Sequence, residues 1–160
     1  MPYKVSTTGM DELTKQLENL GNAAHGVAAA SLYEGAGVIA DAVSRAVQGI
    51  ATEPFRYVKN GSTRKPSPEE KALLEAASKG VAKFKHTGTD VNTSVGLANS
   101  GYGKLGGVTK PIPVIANAIN SGTSFMQKQP FFRKAVSQNK AAALAAIERG
   151  VNKRIDEMTK

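Results

Sequence analysis

At 160 residues, 41% of them hydrophobic, the chain is long enough to bury one core and short for two, so a single domain over residues 1–160 is expected. The absence of cysteine excludes disulfides, thiolate nucleophiles and cysteine-ligated metals. No apolar run approaches the roughly 18 residues of a membrane span, and Met1-Pro2-Tyr3-Lys4 does not open like a signal peptide, which points to a soluble protein made in a reducing cytosol. The net charge of +8 is uneven, with three basic and six acidic groups in residues 1–55 but eight and three in residues 56–86. The basic middle suits nucleic acid, an acidic protein surface, or simply solvent.

In chain order, Tyr3, Val5 and Thr7 alternate with Lys4, Ser6 and Thr8 and predict a short strand ended by Gly9. Leu13, Leu17 and Leu20 follow Asp11 and Glu12 at helical spacing, predicting a short amphipathic helix that closes near Gly21. Leu32, Ala36, Ile39, Val43, Val47 and Ile50 then step by three or four and predict a long helix from Asn22 to about Ile50. Gly26, Gly35 and Gly37 each weaken it by about 1 kcal/mol. With Ala28, Ala29, Ala30 and Ser31 they also form a small-residue surface for close packing, more naturally within the fold than between subunits.

Residues 51–67 mix Pro54, Gly61, Ser62 and Pro66 with Arg56, Lys59, Arg64 and Lys65 around the extended-looking run Phe55–Val58, which predicts an exposed loop or projecting hairpin. Ser67-Pro68-Glu69-Glu70 has the form of a capping box and begins a helix to about Lys79. Alternation over Val81–His86 and Val91–Ala98 about Thr87-Gly88-Thr89-Asp90 predicts a hairpin. Residues 99–111, rich in glycine and without periodicity, predict a loop, followed by a brief helix over Ile112–Asn120. Val136, Leu144, Ile147, Val151, Ile155 and Met158 line one face of a last helix that starts near Pro130 or Phe131. Its basic residues Lys140, Arg149, Lys153 and Arg154 read as a solvated face.

Chemistry is sparse. Gly101-Tyr102-Gly103-Lys104-Leu105-Gly106 matches a dinucleotide-loop pattern, but Gly107-Val108-Thr109-Lys110-Pro111 opens no helix to receive a phosphate. His25 and His86 are the only histidines, neither has acids at ligand spacing, and no Gly-x-Ser-x-Gly elbow occurs. The expectation is a protein without catalytic residues, metal or cofactor. Phe55 and Tyr57 interleaved with Arg56 and Lys59 are suited to stacking bases. A strand with buried aromatics and solvated bases accounts for the same residues and is the favoured reading.

The order of these features resembles a known family, the small tail-component proteins of long-tailed bacteriophages, which include tail completion and head-tail joining (neck) proteins. The resemblance rests on Val5-Ser6-Thr7-Thr8-Gly9-Met10-Asp11-Glu12-Leu13 running into the alanine-rich helix with Val38-Ile39-Ala40-Asp41-Ala42. It continues in the hairpin end Val95-Gly96-Leu97 and in Ile115–Thr123 followed by Gln129–Ala135. Gly122-Thr123 looks like the family's turn, with Gly122 supplying a positive φ, and Pro130-Phe131-Phe132 like its start to the last helix, with Phe131 or Phe132 anchoring it to the core. Asn120 and Ser121 stand where the family usually carries an acidic and an aromatic residue. The resemblance implies a structural virion protein, made in the host cytoplasm and placed in the phage neck or tail, that assembles as a hexameric ring. Its implied partners are further copies and tail terminator, tail tube or head-connector proteins. The loop residues Phe55, Arg56, Tyr57, Lys59, Arg64 and Lys65 are then candidates for partner docking. A tail terminator and a small basic DNA-binding protein are the alternatives, and no membrane contact is expected. The fold expected is α+β: a small, mainly antiparallel sheet against the long helix and the C-terminal helix.

Overall fold

The computed structural model describes residues 10–59, 61–77, 80–83, 85–87, 90–97 and 101–158, with the backbone course alone for residues 10–20, 86 and 87. The strand predicted over residues 3–7 lies outside them. The expected α+β class holds, with four helices and three two-stranded antiparallel ribbons among the described residues.

Helix α1 (Met10–Gln48) runs for 39 residues without the break predicted at Gly21. A glycine costs a helix about 1 kcal/mol but ends it only when the following residues leave helical geometry. Here Asn22-Ala23-Ala24 carry the helix onward. Helix α2 (Pro68–Ala77) starts at the predicted capping box: the Ser67 N–H donates to Glu70 Oε2 at 2.7 Å, and the Glu70 N–H donates to Ser67 Oγ at 3.2 Å.

Strands β1 (Gly80–Val81) and β2 (Lys85–Thr87) pair antiparallel with β4 (Val95–Gly96) and β3 (Asp90–Asn92), as the predicted hairpin requires. Between the two ribbons the Ala82 N–H donates to Ser94 O at 2.8 Å, and Thr93 Oγ1 donates to Ala82 O at 2.7 Å. The region predicted as a loop over 99–111 is instead a second hairpin, β5 (Tyr102–Leu105) with β6 (Val108–Pro111). Gly106 and Gly107 at φ 55° and 81° make its two-residue turn. Two consecutive left-handed residues match the twist of paired strands, so the Gly-Gly that looked like loop composition is a hairpin signal. The Gly101–Gly106 pattern therefore runs along a strand into a turn.

Helix α3 (Ile112–Ser121) follows directly, and helix α4 (Phe131–Met158) closes the described chain. Val43 and Val47 of α1, Ile50 just beyond its end, Leu74 of α2, Ile112, Ile115 and Ile119 of α3, and Phe131 and Ala135 of α4 form one core with Met126. Helices α1 and α4 lie antiparallel: Ala51 beyond the end of α1 bonds Gln129 before the start of α4, and Glu34 pairs with Arg154 far along both.

The buried stripe of α4 is Phe131, Ala135, Ala143, Ala146 and Gly150, which departs from the predicted face. Leu144, Ile155 and Met158 are exposed, while Val136, Ile147 and Val151 are half-buried. The reason is close approach. A Cβ placed on Gly35 of α1 would lie 2.5 Å from Ile147 Cγ1 and 3.0 Å from the Ala143 carbonyl oxygen, so the helices meet nearer than large side chains allow. Of the small residues of α1, Ala29, Ser31 and Gly35 thus pack within the fold, whereas Gly26 is exposed and a Cβ on Gly26 or Gly37 would meet no neighbour. Arg154, predicted to be solvated, is half-buried and donates through Nη2 to Glu34 Oε1 at 2.8 Å.

Candidate docking surface

The candidate loop is closed at its base and open at its tip. At the base, the Glu53 N–H donates to Pro66 O at 3.0 Å, and the Lys65 N–H donates to Glu53 Oε1 at 2.7 Å. The enclosed residues thereby form a compact Ω-like loop rather than a strand. Deeper in, Arg64 grips Glu70 in a two-pronged ion pair, Nη1 to Oε2 at 2.7 Å and Nη2 to Oε1 at 2.6 Å, with both side chains buried. Nη1 also donates to Lys65 O at 2.9 Å. Glu70 therefore serves the capping box and the loop at once.

Burial pushes the Glu70 carboxyl upward. The hydrogen bonds from Arg64 and the Ser67 N–H, with the charges of Arg64 and Lys110, outweigh it and hold the carboxyl below its ordinary value. The hydrogen bonds to Glu70 raise Arg64 against the opposing effect of burial, so the pair stays fully charged near neutral pH.

The other loop residues lie as follows. Phe55 is 63% and Tyr57 96% exposed, which overturns the favoured reading of a strand with buried aromatics. The alternation is real, but no sheet covers either side of it. Phe55 rests on the Arg64 guanidinium, 5.0 Å from its ring centre, and Tyr57 meets Phe55 edge to face at 6.3 Å. Arg56 is exposed and pairs with Glu53 at 3.4 Å. Lys59 and Lys65 are exposed. Arg64 alone does not belong to the surface, because its charge is consumed inside. A buried guanidinium requires a paired acceptor, and the Glu70 carboxylate supplies it.

The loop is also tied to the second candidate segment. The Arg64 N–H donates to Phe125 O at 3.0 Å and the Gln127 N–H to Arg64 O at 2.8 Å. In that segment Gly122 takes the predicted positive φ, 78°, and a Cβ there would sit 2.9 Å from Lys128 Cβ. Thr123 Oγ1 accepts from the Met126 N–H at 3.1 Å, and the Thr123 N–H donates to Met126 O at 3.0 Å, which closes a tight turn. Pro130 precedes α4, and Phe131 is its buried anchor. Phe132, the other ring that could have anchored the helix, is only half-buried at the edge of the core. Proline sets the first turn of the helix so that the next residue, not the one after, faces α1.

Asn120 and Gln129, whose side-chain bonds the sequence does not announce, complete the arrangement. Asn120 Oδ1 accepts from the Phe132 N–H at 3.1 Å and so caps α4 from a neighbouring helix. The Gln129 side chain pairs with both backbone groups of Ala51, accepting at 3.0 Å and donating at 2.9 Å.

Among the described residues no three His, Cys, Asp or Glu groups are placed to hold a metal ion, and no helix is long and apolar enough to cross a membrane. Comparison of the chain with protein-family profiles, curated proteins and solved structures gives no match.

Proposed function

We propose that the protein is a non-enzymatic structural component of a tailed bacteriophage, a tail completion or head-tail joining protein. In this reading it forms a hexameric ring in the neck or tail and links the tail to the head connector. The observation that carries this reading is the braced loop, in which the exposed Phe55 ring rests on the buried Arg64–Glu70 pair and the exposed Tyr57 ring meets Phe55 edge to face. Exposed aromatic rings gain by being covered by a partner, and a ring held in place beforehand, as Phe55 is on Arg64, loses little freedom on binding. That is the physics of a docking surface. The resemblance of the segments around Gly122-Thr123 and Pro130-Phe131-Phe132 supplies the context. Tail terminator, tail tube or connector proteins are the proposed partners.

The distribution of charge disfavours DNA as the principal partner. Of the loop's cations, Arg64 is neutralised inside and Arg56 faces Glu53, which leaves Lys59 and Lys65 as its exposed ammonium groups. Two phosphate contacts give only a shallow salt dependence, with a slope of about −2 in log–log form. Electron microscopy of purified tails mixed with the protein tests the proposal. Density at the head-proximal end is expected. A protein that ignores tails and retards DNA with a steep salt dependence overturns it.

A further inference from the structure

Among the described elements α4 packs chiefly on α1, with a smaller contact to α3. On its outer side Leu144, Ile155 and Met158 are 51%, 44% and 53% exposed. They share a line with Ile147 and Val151, which are half-buried. At about 100° per residue, all five fall within about 40° of one direction. A single exposed apolar residue is ordinary, but five in line along a helix form a surface that another helix can cover.

The spacing of this stripe reads the same in both directions: three, four, four and three residues. A second α4 laid antiparallel and centred on Val151 therefore matches it side chain for side chain. Leu144 meets Met158, Ile147 meets Ile155, and Val151 meets its own copy.

The polar residues at the edges of the stripe agree with this register. On one flank the exposed Glu148 comes level with the exposed Asn152 of the other copy, whose amide can donate to its carboxylate at two equivalent places. On the other flank Arg154 is already paired with Glu34 of its own chain at 2.8 Å. Lys140 comes to lie just past Met158 of the other copy, at the negative end of that helix, where a cation is favourable. Parallel pairing would instead set Glu148 on Glu148 and Lys140 on Lys140, and like charges so placed repel.

We infer that the outer face of α4 pairs antiparallel with the same face of a second copy of this chain. Such a contact is isologous and closes at two copies, so it neither builds nor requires the ring proposed above. The stripe spans about 21 Å of helix. A contact this small is reversible and fills at high protein concentration.

Because the sequence has no cysteine, single-cysteine variants report neighbours directly. With a short bismaleimide, concentrated Val151→Cys is expected to link to itself, and Leu144→Cys to Met158→Cys when the two are mixed. Leu144→Cys alone and Met158→Cys alone should each link about tenfold less, because in this register each lies about 21 Å along the axis from its own copy. Ile155→Lys added to Val151→Cys should lower the yield about tenfold by setting an ammonium group in the apolar contact, with circular dichroism unchanged. The mixture uses only exposed positions, so it decides the matter if Val151→Cys does not fold. No link in the mixture, or self-linking of Leu144→Cys as strong as the mixed link, overturns the inference. Neither result touches the tail-binding reading, which rests on the loop.

Discussion

Removing one partner of the buried ion pair is the sharpest perturbation of the docking loop. Arg64→Ala leaves the Glu70 carboxylate buried with only the Ser67 N–H as a near donor and strips Phe55 of its support. Breaking a buried pair from one side typically costs about 3–5 kcal/mol, because the abandoned charge stays desolvated. For a domain of this size each kcal/mol moves Tm by about 2–4 °C, so a loss of about 10 °C is expected by calorimetry near neutral pH. The paired change Arg64→Met with Glu70→Leu should cost much less, since no charge is stranded, although the capping-box bond is lost. The pH dependence has a definite sign. Glu70 titrates below its ordinary value in the folded protein, so the stability it contributes is present above the unfolded carboxylate value and fades as pH falls through the folded one. The gap between wild type and Arg64→Ala should therefore narrow in acid. An Arg64→Ala protein that melts within a degree of wild type at neutral pH refutes this account of the loop's rigidity.

Other substitutions test the packing. Phe131→Ala should lose about 3–5 kcal/mol in denaturant unfolding and the half-buried Phe132→Ala distinctly less; the reverse order would contradict the assignment of the anchor. Gly35→Ala improves helix propensity by about 1 kcal/mol yet forces a methyl against the Ala143 carbonyl and Ile147, so a net destabilisation of about 1–3 kcal/mol is expected, and a rise in Tm would show that α1 and α4 part easily. Asn120→Ala should cost about 1 kcal/mol through the lost cap on α4, while Asn120→Asp, which keeps the acceptor and adds a charge favourable at a helix start, should be neutral or stabilising.

The parts of this fold governed by local rules could be read from the sequence. Val43 and Val47 announced the buried face of α1, Ser67 and Glu70 the start of α2, and Gly122 a turn. What was illegible depends on distance or on a choice between like residues. Leu144, Ile155 and Met158 imitate a core stripe, but the packing distance set by Gly35 favours Ala143, Ala146 and Gly150 instead. Among several bases in one loop, nothing nearby marks Arg64 as the buried one. Only the second use of Glu70, beyond its capping box, decides that. The bonds of Asn120 and Gln129 join segments far apart in sequence, to which periodicity is blind.

On the proposed function, Phe55 and Tyr57 form the docking surface of a virion assembly protein. Co-sedimentation of wild type and of a Phe55→Ser/Tyr57→Ser variant with purified phage tails tests it most directly. Wild type should pellet with tails, and the variant should remain in the supernatant while its melting temperature stays close to wild type, since both rings are exposed. Equal pelleting of the two proteins, or none by wild type, would contradict it.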